Sequence, residues 1–241
     1  MDNQQDRILD VANVDKSVQV GDGGLDILSG ISFTIKAGET VAIVGVSGSG
    51  KSTLLSILAG LDRPTRGLVT LCGQPLNNLD EDGRAAVRGQ HVGFVFQSFH
   101  LLPNLTALEN VLLPMEVLGR QNAEETAATL LERVGLSRRL SHYPRQLSGG
   151  EQQRVAIARA FVTAPDIVFA DEPTGNLDSS TGQSVIDLLF DVNREKRTTL
   201  VLVTHDPALA DRCGRRLRLD GGRLQEEAPA ESPLPEVRNA R

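Results

Sequence analysis

The chain has 241 residues, 40 % of them apolar and 23 % charged, with 25 basic against 31 acidic side chains and a net charge of −6. This is ordinary globular usage for one large domain or two small ones, and it excludes a collagen, a coiled coil or a disordered chain. The acidic balance, with seven Phe, one Tyr and no Trp, leaves little to attract or stack a polyanion, so no nucleic-acid partner is expected.

Two cysteines, Cys72 and Cys213, lack metal or redox spacing and point to a reducing compartment. The opening MDNQQDRILD has no apolar core of a signal peptide, and no stretch approaches the roughly 20 apolar residues that cross a bilayer. A cytosolic protein is expected, with a position against a membrane left open.

Along the chain, residues 8–20 and 31–44 read as two antiparallel strands around GDGG, the second ending in TVAIVG at 40–45. The following SGSGKSTLLSILAGL has helical spacing at Leu54, Leu55, Leu58 and Leu61. Gly67 to Leu71 and HVGFVFQ at 91–97 read as strands. Residues 98–163 read as a mostly helical insertion broken by Pro103, Pro114 and Pro144, with an alanine-rich helix at 123–134. Then come the strand DIVFADEP at 166–173, a helix from about Gly182 to Arg194, the strand TTLVLVTHD at 198–206, a helix near Pro207 and a hairpin turned at Gly221–Gly222. Strands alternating with helices predict a parallel core sheet with helical cover.

Gly45-Val46-Ser47-Gly48-Ser49-Gly50-Lys51-Ser52 fits the pattern G-x-x-x-x-G-K-[ST] between a strand and a helix. Glycines there let consecutive N–H groups face the α- and β-phosphates, and the helix adds its positive end. Lys51 would reach the β- and γ-phosphates and Ser52 would offer a hydroxyl to Mg²⁺. Asp171 closes a buried strand where a magnesium-holding carboxylate is needed, and Glu172, one step on, is placed to orient or deprotonate an attacking water. Each alternative is local: a glycine turn for the loop, a polar strand end for the carboxylates. His205 and Gln97 end further strands and are placed over the same sheet edge.

The chain has neither the Asn-Lys-x-Asp run of a guanine-reading GTPase nor an acceptor lid of a small-molecule kinase. It has instead LSGGEQQ at 147–153, a second cluster of N–H groups opening a helix. Two phosphate-binding helix ends far apart in sequence suit a head-to-tail dimer, each copy presenting this end to the other's γ-phosphate.

GVSGSGKS at 45–52, Gln97, LSGGEQQR at 147–154, IVFADE at 167–172, GNLD at 175–178 and His205 together resemble the ATP-binding cassette (ABC) ATPases over about residues 8–226. FVFQSFHLLPNLTALENVLLP at 94–114 and ADEPTGNLDSSTG at 170–182 look like the subgroup serving lipoprotein release and macrolide export, and the chain is similar to an uncharacterised type paired with a large permease. The resemblance implies that Gly45, Ser47, Gly48, Ser49, Gly50, Lys51, Ser52 and Thr53 bind ATP. It gives Mg²⁺ to Ser52, Gln97 and Asp171, and catalysis to Glu172, His205, Lys51 and Gln97. Ser148 and Gly150 would contact the γ-phosphate of a partner subunit, Asp178 would bridge the two sites, and the segment 98–106 would touch a membrane permease. Where members carry an aromatic residue over adenine, this chain has Val18, with Phe33 or another side chain as the alternative cover for the base.

These readings converge on a P-loop α/β domain of the ABC type over residues 1–226, with an antiparallel β-subdomain at the N-terminus and a helical subdomain at about 98–160. Residues 227–241 are expected to form a disordered tail. The expected function is ATP hydrolysis in a homodimer on the cytoplasmic side of the bacterial inner membrane, coupled to a permease. The alternatives are a soluble ABC ATPase acting on nucleic acid or ribosomes, or a scaffold that binds ATP without hydrolysing it.

Overall fold

Two long strands, β1 (Arg7–Val20) and β2 (Gly23–Lys36), open the computed structural model, which describes residues 6–227 apart from Asp22. They pair antiparallel with several register shifts. The sequence reading runs 31–44 into one strand, but Gly38, at φ 78°, turns the chain after Lys36 and β3 (Thr40–Val44) enters a different sheet. After α1 (Lys51–Leu58), β4 (Arg66–Leu71) returns to pair with β1, and β5 (Gln74–Pro75) completes a four-stranded antiparallel sheet in the order β2-β1-β4-β5.

The next helix, α2 (Glu81–His91), is absent from the sequence reading because Val87 is almost its only bulky apolar residue. It is set by local chemistry. Asp80 caps it by accepting from Gly83 N at 2.8 Å, and Glu81 pairs with both Arg84 and Arg88. It leads straight into β6 (Val92–Val95).

The helical insertion contains α3 (Ala107–Val117), α4 (Ala123–Arg133) and α5 (Gly149–Phe161). Pro114 does not break it as expected. The proline sits within α3, which gives up one backbone bond and is held by its Thr106–Glu109 capping box and by buried Val111 and Met115. The chain closes with β7 (Ile167–Asp171), α6 (Ser179–Lys196), β8 (Thr199–Thr204), α7 (Pro207–Ala210), β9 (Arg215–Asp220) and β10 (Arg223–Glu227). α6 starts three residues before the predicted Gly182 because the Asp178 carboxylate accepts from Ser180 N and Thr181 N, both at 3.1 Å. Glu227, assigned to the tail by sequence, is the last residue of β10, and the rest of that expected tail, 228–241, lies outside the described residues.

The second sheet runs β10-β9-β3-β8-β7-β6, with β9, β3, β8, β7 and β6 mutually parallel. Its alternating side chains feed two cores, as the two-residue strand period dictates. Val168, Ala170, Leu200 and Leu202 join the helical insertion and α6, whereas Ile167, Phe169, Val201 and Val203 join α1 and the antiparallel sheet. The core sheet is thus packed on both faces. No helix among the described residues is long and apolar enough to cross a membrane.

Candidate functional site

Because β3, β8, β7 and β6 are parallel neighbours, the loops after them leave one edge of the sheet together. That edge gathers residues distant in sequence: the loop 45–50, His205, Asp171 with Glu172, and Gln97.

The loop after β3 turns into α1 at Gly50, whose φ of 98° is open to glycine and strained for other residues. Gly45 is demanded by space: a Cβ there would sit 2.3 Å from Leu219 O. The buried Lys51 folds its ammonium back into the loop, donating to Gly45 O at 2.8 Å and Val46 O at 3.0 Å. Two carbonyls thus hold a cation inside a ring of backbone, and a phosphate brought to the loop would meet that charge. Ser47, Gly48, Gly50, Lys51, Ser52 and Thr53 line a cavity of about 710 Å³ together with Gln97, Glu172 and His205. Ser49, within the loop, has a buried hydroxyl unpartnered among the described residues.

Asp171 ends β7 near Ser52, and its Oδ1 is buried without a partner among the described residues. Burial pushes this carboxyl above its ordinary range, against the pull of the nearby Ser52 hydroxyl, and the Glu172 charge adds to the rise. Glu172 stands at φ 43°, in the left-handed region unusual for a non-glycine residue. Its N–H donates to Val203 O at 2.9 Å, and its Oε1 lies 2.9 Å from His205 Nδ1. Its side chain is 17 % exposed while that of His205 is 71 % exposed, so the pair runs from the sheet edge into the open cavity.

The GNLD loop grips Gln97. Asn176 Nδ2 donates to Gln97 O at 3.0 Å, and Gly175 clears the Gln97 side chain, since a Cβ there would fall 2.5 Å from its Nε2. Asp178 lines an adjoining cavity of about 450 Å³ that shares Glu172 and His205 with the first. Hydrogen bonds from Thr181 and Ser180 hold its carboxyl well below the usual range.

Ser148, Gly150, Val18 and the alternative Phe33 lie away from the phosphate-loop cavity. Ser148 caps α5 and Gly150 packs against α6, where a Cβ would lie 2.4 Å from Thr181 Cγ2, and neither lines the cavity of their own chain. Val18 does not line it either; its cross-strand partner Leu25 does, with Ile27. Phe33, the alternative cover, packs partly buried against the core of the antiparallel sheet.

Sequence reasoning missed several residues that shape the site. Leu25, 55 % exposed, and Ile27 form the apolar wall of the cavity. Arg159 of α5 donates to Phe99 O at 2.8 Å and His100 O at 2.5 Å, pinning two left-handed residues just beyond Gln97. Buried Asn110 bonds Leu102 N and three carbonyls, fixing the segment 102–106. Only a polar residue inside an otherwise apolar helix stripe hints at such roles.

A phosphate loop after β3, paired carboxylates after β7 and a histidine after β8 define a P-loop ATPase with an inserted helical lobe. The family described as ABC transporter matches residues 28–175, more than half of the chain. Among relatives, the uncharacterized ABC transporter ATP-binding protein YbbA of Escherichia coli is 60 % identical over 225 residues, covering 92 % of this chain and 99 % of its own. The lipoprotein-releasing system ATP-binding protein LolD of Hydrogenovibrio crunogenus is 51 % identical over 219 residues, 90 % of this chain and 95 % of its own. A solved dimer of the ATP-binding cassette MJ0796, in a post-hydrolysis state with ADP and Pi, superposes with a TM-score of 0.84 at 42 % identity, covering 91 % of this chain and 97 % of that one. The chain therefore belongs to the ABC transporter family, as an ATP-binding cassette subunit. It binds ATP and is an ATPase whose hydrolysis powers transport.

Proposed function

We propose that this cassette hydrolyses ATP at a Mg²⁺-dependent site completed by a second copy of the chain, and that it drives a permease of the lipoprotein-release type. The observation that carries this reading is the Glu172–His205 pair, 2.9 Å apart, standing over the cavity that also holds Lys51, Ser52 and Gln97.

The residues fit a divalent ion. The orphaned, buried Asp171 Oδ1, the Ser52 hydroxyl beside it and the Gln97 side chain supply the hard oxygen ligands that magnesium takes. Ser52, Asp171 and Gln97 would hold it, and when bound it neutralises the charge on the β- and γ-phosphate oxygens. Lys51 adds a fixed positive charge, exchanging two loop carbonyls for phosphate oxygens. Glu172 orients the attacking water and takes its proton as the water closes on the γ-phosphorus in line with the leaving oxygen. His205, hydrogen-bonded to Glu172, holds that carboxylate toward the γ-phosphate. Ser148 and Gly150 lie outside their own chain's cavity, which supports their use in trans. There they bring the N-terminus of α5 to the γ-phosphate of the other copy.

Docking to a permease is assigned to the segment 98–106. It is held by Arg159 and Asn110 and lies beside an apolar hollow of about 390 Å³ lined by Phe94, Phe96, His100, Val117 and Leu118. Exposed Val117 and Leu102 are suited to that contact. Attached through such a partner, the subunit would sit on the cytoplasmic face of the inner membrane.

Glu172→Gln tests the reading. ATP affinity should stay near that of the parent while turnover falls at least ~10²-fold, because the lost group acts on water in the transition state. With ATP and Mg²⁺ the variant should elute as a dimer in size-exclusion chromatography. A monomer at saturating ATP would overturn the shared site.

A further inference from the structure

We propose that Cys72, His91 and Asp166 form a second, transition-metal site, suited to Zn²⁺, at the end of the core sheet opposite the nucleotide. A sulfur, a ring nitrogen and a carboxylate oxygen from these three residues lie within 4.8 Å of one another. His91 Nδ1 and Asp166 Oδ2 are already hydrogen-bonded at 2.6 Å.

Each of the three is anchored by its backbone. His91 is the last residue of α2 and Asp166 directly precedes β7; Asp166 N donates to His91 O at 3.0 Å where β6 and β7 start side by side. Cys72 follows β4 in the left-handed conformation, at φ 49°, with its N–H donated to Ile8 O at 2.7 Å. Asp171 ends β7 and Gln97 follows β6 at the other end of these strands, so the cluster stands a strand length away from the ATP site, on the order of 17 Å for the five residues from Asp166 to Asp171.

The donor set decides the metal. Thiolate, imidazole and carboxylate suit Zn²⁺, whereas Mg²⁺ prefers oxygen ligands and water, so the magnesium of an ATPase assay does not fill this site. Tetrahedral bonds of ~2.0–2.3 Å put ligand atoms roughly 3.3–3.8 Å apart, which side-chain motion of about 1 Å supplies from the present spacing. Cys72 and His91 are half-buried and Asp166 is exposed, which leaves an entry path and a fourth position for water. In the metal-free protein, burial and then the Asp166 charge push the Cys72 thiol up to about 12. A bound dication reverses that electrostatic balance, and the thiol proton leaves to solvent as the sulfur–metal bond forms. The ligands come from both sheets, so the metal cross-links the antiparallel sheet to the core.

The full chain, free of nucleotide and magnesium, is titrated with Co²⁺ as a spectroscopic probe and then with Zn²⁺. A single equivalent should give a thiolate-to-cobalt charge-transfer band that Zn²⁺ abolishes. The band should vanish in Cys72→Ser, persist in Cys213→Ser and Lys51→Ala, and require at least about ten-fold more Co²⁺ in Asp166→Asn. Zn²⁺ should also raise the melting temperature of the parent and not that of His91→Asn. No thiolate band in the parent, or a band that survives Cys72→Ser, overturns the proposal. Should Cys72→Ser fail to fold by circular dichroism, Asp166→Asn decides it, since that side chain is exposed; unchanged Co²⁺ affinity there overturns the site.

Discussion

Glu172 concentrates the local conflicts of this protein in one residue. A left-handed backbone in a glutamate costs on the order of 1–3 kcal/mol, and here the conformation brings its Oε1 to His205 at the cavity mouth. The proposed adenine end of the site is less fully built. Val18 and Leu25 face each other across β1 and β2, and Leu25 and Ile27 form the cavity's apolar wall. Aliphatic cover buries part of a base but makes no π contact, and base–aromatic stacking is worth ~1–3 kcal/mol. Val18→Tyr is therefore expected to tighten ATP and GTP alike by about ten-fold. Equilibrium titration of both nucleotides checks this, and unchanged affinity would show that position 18 does not face the base.

At the scale of elements, the start of α5 couples stability to function. Ser148 N donates to Glu151 Oε2 at 2.8 Å, Glu151 N donates to Ser148 Oγ at 3.3 Å, and Arg139 Nε reaches Glu151 Oε1 at 2.8 Å. The Ser148 N–H, and then Arg139, hold the Glu151 carboxyl below its usual value of 4.5. A folded-state value below the unfolded one gives stabilisation that is complete above 4.5 and is lost as pH falls through the lower folded value. Glu151→Gln keeps an acceptor for the Ser148 N–H and removes the titration. Its melting temperature should therefore fall less than the parent's between neutral pH and about pH 4. Parallel falls in both proteins would exclude Glu151 as a source of acid sensitivity. This helix start was legible in the sequence because Gly149 and Gly150 lead into an apolar stripe at helical spacing, whereas the Ser148–Glu151 capping box is seen in the structure. α2 was not, because charge pairs and the Asp80 cap replace the apolar stripe that periodicity detects.

For the whole molecule, the strand order collects the proposed catalytic set at one edge while leaving Ser148 and Gly150 elsewhere on the same chain. A dimer resolves that separation. Mixing Ser148→Arg chains with Lys51→Ala chains, each inactive alone, should restore part of the ATPase activity. One composite site of the mixed dimer then carries both lesions and the other carries neither. ATPase assays across mixing ratios, with a maximum near equal amounts, check this; a chain that hydrolyses ATP as a strict monomer would exclude it.

The sequence by itself determined the phosphate loop, the Asp171–Glu172 pair at a strand end, the start of α5 and the existence of a parallel core. Each depends on residues within a few positions of one another, where spacing translates directly into backbone geometry and face. The tertiary structure alone decided which distant residues meet. Gly38 splits an apparent strand between two sheets, Asn176 seats Gln97, and Arg159 pins Phe99 and His100. The same holds for Cys72, His91 and Asp166, which have no metal spacing in the chain and come within ligand reach only because β4, α2 and the start of β7 converge. Such contacts depend on strand order and on the packing of one element against another, and pairings across tens of residues leave no periodic trace in a single sequence.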